Sequence, residues 1–345
     1  MRLNNFDFLR FIFALLVVIS HANVLSGYGV KDQWIFKLTN GQIELSNIGL
    51  NGFFILSGYL IFQSIERSKN VFDFYWKRIL RLFPGLFVVL VLTVIFAPLV
   101  YQNSIPYLDN YKVLSYIPRN LSLFNLQYSI KGVFESNPYS SSINGSLWTI
   151  CYEFSCYVLL SGLLIIIKKR KIVLLFLVSV FLLMIIGYNF FYIQLNHIIK
   201  FGMSGSHFFN LGTFFIGGSL FASLKIENFK NKSLLLVIVS ILVVTSLYYN
   251  SYDFFKHILL TIMILLIGLM PVKYFHSFGK TGDPSYGIYI YSFPIQQTLI
   301  YFFNIGGNTL IIRSVLLSLL FGYFSWHLIE KKALLYKNLN LKLIF

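Results

Sequence analysis

Acidic residues are scarce in this chain, and so are charged residues of either sign. Only 12 of the 345 residues are Asp or Glu, and charged side chains make up 12% of the chain, whereas hydrophobic residues make up 57%. The longest polar stretch, residues 102–145, is too short to form a separate soluble domain. This balance excludes a soluble globular protein and predicts an all-α, polytopic membrane protein that forms a single domain over residues 1–345.

Cysteine and metal-ligand patterns are equally sparse. The two cysteines, Cys151 and Cys156, lie in one apolar segment, so we expect no disulfide between them. The six histidines contain no pair at the i, i+4 spacing of a helical metal site, and we expect no bound metal. We interpret every histidine except His21 as structural. The first apolar run lacks the small-residue cleavage site of a signal peptide, so we expect it to be retained.

Long apolar runs recur along the chain, and ten of them have the length of a membrane span. They cover about 7–27, 46–66, 79–101, 146–168, 171–192, 207–224, 233–250, 254–270, 284–304 and 309–330. An even number of spans places both termini on the same side of the membrane. We find no inverted repeat of the kind seen in many transporters.

The net charge of +16 comes from basic residues that lie between the apolar runs. If both termini are cytoplasmic, 19 Lys and Arg residues fall in cytoplasmic segments and eight in outer segments, while Arg10 lies inside the first span. This asymmetry follows the positive-inside rule, so we predict cytoplasmic termini, with Glu330 at the inner surface where the tenth span ends. The charge is a topology signal in a protein whose surroundings are the lipid bilayer, and we expect no nucleic-acid partner.

The first span carries two ionisable residues, Arg10 and His21. At about 100° per residue they share one helix face, and the helical rise places them roughly 16 Å apart along the axis. Ionisable residues inside a span usually face the protein interior or a wet cavity, and they are candidate functional residues. The structural alternative is an Arg10 that reaches to the membrane surface and a His21 bonded to a neighbouring helix. The residues alone leave both interpretations open.

A basic cluster, Lys77, Arg78 and Arg81, precedes most of the third span. Such a cluster anchors a protein to anionic lipid head groups. The alternative is a clamp for the phosphates of a ligand, since the arginine fork matches phosphate geometry. Position in the sequence does not separate these two roles.

Polar residues also interrupt other spans. In the second span, close helix packing accounts for the glycines, whereas Asn51 and Ser57 are left open between packing and ligand binding. Glu153 in the fourth span needs either a basic partner, such as Arg10, or a catalytic role, because an isolated carboxylate in a membrane is costly. Ser146 lies seven residues before Glu153 and shares its helix face.

The polar segment 102–145 is rich in tyrosine, serine and asparagine. A segment of this length between two spans forms a re-entrant hairpin, a cap over an outward cavity or an ordinary loop. All three alternatives remain open from the sequence.

These motifs together resemble the acyltransferase-3 family of bacterial integral membrane O-acyltransferases. The matching segments follow the family order: Arg10 and His21 with ten residues between them, GFFILSGYL, KRILRLFP, SLWTICYEF, SYGIYIYSFP and LIEK. The chain departs from the family pattern at Lys77, where the family has arginine, and at Ser292, where it commonly has histidine. Many relatives carry an additional periplasmic esterase-like domain, and we expect none here.

The resemblance implies an enzyme of the inner (cytoplasmic) membrane. It would transfer an acyl group, with acetyl expected, from cytoplasmic acyl-CoA to a hydroxyl of a cell-envelope polysaccharide or lipid-linked glycan. Acetyl-CoA is then a substrate, and we expect no permanently bound cofactor. By resemblance, the catalytic residues are His21, Arg10 and Glu153. The residues assigned to the coenzyme A phosphates are Lys77, Arg78 and Arg81. The residues expected to bind substrate are Asn51, Ser57, Tyr59, Ser146, Trp148, Tyr286 and Tyr289.

The sequence leaves two chemical routes and one alternative function open. His21 either deprotonates the acceptor hydroxyl directly or takes the acyl group first. The alternative function is a transporter or flippase for a lipid-linked sugar, with Arg10 holding a phosphate, and it predicts no consumption of thioester. The intact pair of Arg10 and His21 argues against an inactive scaffold.

Overall fold

A computed structural model describes residues 4–140, 142–167, 169–270, 272–280 and 282–339. Three of the predicted cytoplasmic charges, Arg2, Lys168 and Lys342, lie outside the described residues. The described chain is helical, apart from its loops and a short antiparallel hairpin of β1 (Ile199–Lys200) and β2 (Met203–Ser204). The predicted all-α membrane fold is confirmed.

Long helices and several short ones alternate along the chain. They are α1 (Phe6–Leu25), α2 (Trp34–Leu38), α3 (Leu45–Arg67), α4 (Val71–Phe96), α5 (Tyr111–Leu121), α6 (Trp148–Ile166), α7 (Arg170–Phe190), α8 (Tyr192–His197), α9 (Gly205–Ser223), α10 (Lys232–Tyr248), α11 (Tyr252–Leu269), α12 (Lys273–His276), α13 (Ser285–Phe303), α14 (Gly307–Ser325) and α15 (Lys331–Leu335). A π-helical turn, Trp326–Glu330, joins α14 to α15.

A helix lies at each of the ten predicted spans, but among the described residues seven helical segments are long and apolar enough to cross a membrane, by length and composition. Of the other three, α10 has 17 residues. Helices α9 and α13 have 19 residues each and carry many small or polar residues. More than half of their residues are buried against other parts of the protein, so their polar groups need not face lipid. The number of ten crossings stays a prediction.

Glycines bring the central helices into backbone contact. A Cβ atom at Gly58 of α3 would lie 1.9 Å from the carbonyl oxygen of Phe215 in α9, and one at Gly218 would lie 2.1 Å from that of Ile55. On the other side of α3, a Cβ at Gly52 would lie 2.4 Å from the ring of Phe13 in α1. The packing explanation for the second-span glycines is confirmed.

The bundle has two ends, which differ in chemistry. The basic end is where α1, α4 and α13 begin, and it carries Arg10, Lys77, Arg78 and Arg81. The cap end is where these helices finish, and the segment 102–145 lies there.

The described part of the segment 102–145 is folded against the ends of the helices, and a cap over an outward cavity stays a prediction. The Asn137 side chain donates hydrogen bonds to the backbone and side-chain oxygens of Gln297 in α13, at 2.9 and 2.8 Å. The Gln297 side chain donates in turn to the carbonyl oxygens of Tyr139 and Ser142, both at 2.7 Å. Tyr116 of this segment is fully buried and belongs to the same hydrophobic core as the long helices, so the segment is packed onto the bundle.

Candidate active site

A polar cavity lies at the basic end and extends towards the middle of the bundle. It has a volume of about 440 Å³ and is enclosed by α1, α3, α4, α6, α13 and the π turn. The basic residues in its lining are Arg10, Lys77, Arg78, Arg81 and Lys337. The acidic residues in its lining are Asp7, Glu153 and Asp283. A cavity with this excess of cations is suited to a ligand with several negative charges.

Asp283 connects two of the cavity cations. One oxygen of its carboxylate forms an ion pair with Arg81 and lies 3.7 Å from Nη1 of Arg10. The other oxygen accepts hydrogen bonds from the backbone N–H of Ser285, at 3.2 Å, and from its hydroxyl. Burial raises the pKa of the Asp283 carboxyl, but the charges of Arg81 and Arg10 and the bonds from Ser285 lower it by more, so this pKa lies below its ordinary value.

Glu330 is the second acidic partner of Arg81. Its side chain is 0% exposed, and Oε2 lies 3.5 Å from Nη1 of Arg81, while Oε1 accepts a hydrogen bond from Ser325 at 2.9 Å. The Arg81 guanidinium also lies over the ring of Trp326, 5.4 Å from its centre. Glu330 therefore lies at the basic end, and its predicted depth at the inner surface stays a prediction, but its carboxylate is buried inside the protein. The π-helical turn shifts the phase of the helix and directs this carboxylate into the protein.

Arg78 and Lys77 have different surroundings from Arg81. Lys77 pairs with Asp73 one helical turn earlier, at 2.8 Å. The Arg78 guanidinium lies over the ring of Phe74, and its Nε is buried without a hydrogen-bond partner in the part of the chain described. The three residues of the basic cluster therefore differ in how far acidic residues compensate their charges.

Glu153 lies in the middle of the cavity and accepts hydrogen bonds from two hydroxyl groups. Ser57 of α3 donates to it at 2.6 Å, and Tyr157 donates from one turn further along α6. The carboxylate within ion-pair distance of Arg10 is that of Asp283, so a pair between Arg10 and Glu153, one of the alternatives left open by the sequence, does not form. Hydroxyl donors stabilise the Glu153 carboxylate instead.

The cavity ends near Tyr289 of α13. The Tyr289 hydroxyl donates to the carbonyl oxygen of Ser146 at 2.7 Å and lies 2.6 Å from the hydroxyl of Thr149. Pro294 has no N–H and leaves the carbonyl oxygen of Ile290 without its helical donor. The Asn144 side chain donates to that oxygen at 2.8 Å and so fixes the start of α6 against α13.

His21 lies beyond this end of the cavity, towards the cap. Its ring meets the ring of Phe293 edge to face, with 5.5 Å between centres. Phe293 follows Tyr289 by four residues on α13, so His21 packs about 6 Å further along the bundle than the end of the cavity. Nδ1 of His21 is buried and has no hydrogen-bond partner among the described residues. An imidazole nitrogen without a partner is free to exchange a proton with a bound group.

Comparison with known proteins gives the family. The model of the acyltransferase-3 family, described as an acyltransferase domain, matches residues 3–329. The chain belongs to this acyltransferase family. It is similar to a protein named O-acetyl transferase from Shigella phage Sf6, with 27% identity over 341 residues, which is 96% of each chain. It is also similar to nodulation protein 10 of Rhizobium leguminosarum bv. viciae, with 33% identity over 175 residues, which is 49% of this chain and 46% of that protein. No solved structure gives a significant match.

Family membership confirms the resemblance read from the motifs and makes the chain an acyl-transferring, multi-pass membrane protein. Eight of the predicted site residues line the cavity together. They are Arg10, Ser57, Lys77, Arg78, Arg81, Glu153, Tyr286 and Tyr289. The functional roles assigned to them stay predictions.

Five predicted site residues do not belong to the cavity lining: His21, Asn51, Tyr59, Ser146 and Trp148. The Tyr59 hydroxyl donates to Glu227 at 2.8 Å, on the side of α3 that faces α9. Trp148 packs against Tyr152 and His207, with 5.3 and 4.8 Å between ring centres. Oδ1 of Asn51 and Oγ of Ser146 are buried without hydrogen-bond partners among the described residues, so both remain candidates for binding substrate.

Sequence reasoning missed Asp283, Thr149 and Tyr157, and it did not predict that Glu330 is buried. The acidic residues could have been found from the sequence. The chain contains only 12 Asp and Glu residues, so an acidic residue beside a membrane span is a candidate for a functional or structural role. The hydroxyl groups of Thr149 and Tyr157 gave no signal, since serine, threonine and tyrosine are common throughout the spans.

Proposed function

We propose that this protein transfers an acetyl group from cytoplasmic acetyl-CoA to a hydroxyl of a cell-envelope glycan, and that it does so in the inner membrane. The observation that carries the proposal is the cation-rich cavity that begins beside the basic cluster and ends one helical turn from His21. The name of the phage relative, O-acetyl transferase, supports acetyl as the group transferred.

The basic end of the cavity fits the donor. Coenzyme A carries several phosphates, and arginine binds phosphate oxygens through paired hydrogen bonds. The positive-inside rule assigns the basic end to the cytoplasm, where acyl-CoA is available. The thioester would then extend along the polar middle of the cavity, past Ser57 and Glu153, towards Tyr289.

In the proposed reaction, the oxygen of the acceptor hydroxyl attacks the thioester carbonyl, the new ester bond forms, and the carbon–sulfur bond breaks. His21 takes the hydroxyl proton and returns it to the departing sulfur, so charge and atoms balance. In the second route, a nitrogen of His21 attacks the thioester carbonyl, the carbon–sulfur bond breaks, and the sulfur leaves as the thiol with the imidazole proton. The acceptor hydroxyl then attacks the acyl group, the carbon–nitrogen bond to His21 breaks, and the hydroxyl proton returns to the imidazole. Arg10 would stabilise the negative charge of the donor from the same face of α1.

The deciding experiment measures acylation of the surface glycan by mass spectrometry. A deletion strain receives the wild-type gene, His21→Ala or the control His197→Ala at matched membrane levels, since His197 is exposed and lies outside the cavity. We expect wild type and His197→Ala to restore an acetyl ester, and His21→Ala to restore it at least about 100-fold less, the usual contribution of a general base.

Two results would contradict the proposal in different ways. Equal acetylation with His21→Ala would remove His21 from catalysis while leaving acyl transfer intact. Unchanged acetylation in the deletion strain, combined with a loss of glycan export, would replace acyl transfer by transport of a lipid-linked sugar.

A further inference from the structure

Some cations of the cavity form ion pairs with acidic residues, and others do not. Asp283 serves both Arg10 and Arg81, and Arg81 has Glu330 as a second acidic partner. Within the described ranges, no carboxylate comes within ion-pair distance of Arg78, although it lies only one helical turn before Arg81.

The surroundings of Arg78 indicate a missing acceptor. Arg78 lines the cavity, and the Cζ atom of its guanidinium lies over the ring of Phe74. Its Nε is buried with no hydrogen-bond partner in the described structure. The Arg78 side chain is partly exposed, and the negative charge of Glu153 acts on it without forming an ion pair in the described structure. An unpaired buried N–H is costly, and an anion that accepts a hydrogen bond from it removes that cost. Arg81 has no such need, since two carboxylates and the ring of Trp326 already surround it.

The orientation of the Asp283 carboxylate is fixed by hydrogen bonds. Ser285 fixes one carboxylate oxygen through its backbone N–H and its hydroxyl, which leaves the other oxygen directed at the two arginines. The residue before it, Gly282, has φ +128°, and a Cβ there would lie 2.3 Å from the ring of Trp326. Glycine at this position therefore allows the chain to bring Asp283 against Trp326 and Arg81.

We infer that Asp283 is a positioning residue that holds Arg10 and Arg81 in place, and that this arrangement leaves Arg78 as the principal cation for the phosphates of the donor. The inference rests on the proposed function. Arg81 then acts as a structural link between α4, α13 and the π turn. Arg10 is kept on the His21 face of α1, with its charge partly compensated before the donor arrives.

The first test measures binding of coenzyme A to the purified full chain by isothermal titration calorimetry. We expect Arg78→Gln to weaken binding about tenfold or more, because a contact between two charged groups is lost. Pantetheine, which lacks the phosphates, should bind wild type and Arg78→Gln equally. Lys77→Gln should weaken binding less than Arg78→Gln does, because Asp73 already compensates Lys77. The matched control for the loss of a cation at the same end is Lys69→Gln, an exposed residue outside the cavity lining, which should bind coenzyme A as wild type does.

The second test separates positioning from binding. Membrane vesicles that carry the strain's own glycan are supplied with radiolabelled acetyl-CoA at several concentrations. We expect Asp283→Asn to lower kcat about tenfold or more without raising KM for acetyl-CoA, since the site keeps its cations but loses the group that places them. Asp283→Glu should recover part of kcat. Asp253→Asn, which removes the exposed partner of Lys256 outside the cavity, should match wild type.

The outcomes distinguish this inference from the proposed function. If wild type does not bind coenzyme A, both are overturned. If wild type binds and Arg78→Gln binds as tightly, or if Lys77→Gln causes the larger loss, only the assignment of Arg78 is wrong. A rise in KM with unchanged kcat in Asp283→Asn would make Asp283 a binding residue instead. If Asp283→Asn does not accumulate in the membrane, kcat of Asp283→Glu tests the positioning role of Asp283. Binding of coenzyme A to Arg78→Gln still tests the assignment of Arg78.

Discussion

Glu153 shows how single side chains make a carboxylate tolerable inside a membrane protein. Its nearest partners are the hydroxyl groups of Ser57 and Tyr157, which come from two helices. A pairing between Glu153 and a cation was one of two alternatives left open by the sequence, because opposite charges inside a span usually meet. The hydroxyl donors stabilise the carboxylate without an ion pair, although its charge still acts on Arg78.

Replacement of Glu153 tests this arrangement at the scale of the residue. Glu153→Ala leaves two hydroxyls without their acceptor, at a cost of about 1–3 kcal/mol for each buried group, so we expect a lower thermal midpoint of the protein in detergent. Glu153→Gln keeps one acceptor oxygen and should lose less. Glu66→Ala, an exposed change on α3, is the control. Equal midpoints for Glu153→Ala and wild type would show that these hydrogen bonds do not stabilise the fold.

At the scale of the element, small residues decide how closely the helices approach. Helices α3 and α9 touch through their backbones at Gly58 and Gly218, so the polar cavity on the opposite side of α3 has a fixed wall. The same logic applies to α13, where Pro294 frees a carbonyl that Asn144 then occupies. A proline and an asparagine in distant parts of the sequence thus place the start of α6 beside Tyr289.

Two glycine substitutions test the close approach of α3 and α9. Gly58→Ala would place a Cβ 1.9 Å from a backbone oxygen, so the helices must separate, and we expect a destabilisation of about 1–3 kcal/mol. Gly162→Ala is the matched control, because nothing lies within 4 Å of the added atom and alanine favours a helix by about 1 kcal/mol. Thermal midpoints in detergent give the comparison. A midpoint for Gly58→Ala at or above that of Gly162→Ala would contradict this packing.

At the scale of the whole molecule, the cavity and the cap lie at opposite ends of the helical bundle. The predicted orientation places the basic end, with its cation-rich cavity, in the cytoplasm and the cap segment 102–145 outside. An acyl group taken up at the basic end would therefore reach its acceptor near the cap. This transfer across the membrane requires the predicted orientation of the protein and the predicted number of membrane-spanning helices.

Cysteine labelling in whole cells tests the topology where composition is least decisive, around α9 and α10. The positions are Lys200, Lys230 and Asn250, which are all exposed, each changed to cysteine in a chain whose two buried cysteines are replaced by alanine. If both helices cross, an impermeant thiol reagent should label positions 200 and 250 but not 230. Labelling of all three positions from outside would mean that α9 and α10 do not cross.

The membrane fold, the approximate positions of the long helices and the family could be predicted from the sequence. These follow from local information: the length of an apolar run, the spacing of Arg10 and His21 on one helix, and motifs in a fixed order. The same local patterns identified most of the residues that line the cavity.

The pairing of charges in the site depends on the packing of distant segments. Arg81 and Asp283 are separated by 202 residues, and Ser57 and Glu153 by 96. No helical period relates positions so far apart, because their contact depends on how three helices and the loop before α13 pack. The buried position of Glu330 depends on a π turn whose phase the apolar pattern does not reveal. The packing of His21 against Phe293, beyond the end of the cavity, arises in the same way, from the placement of α1 against α13.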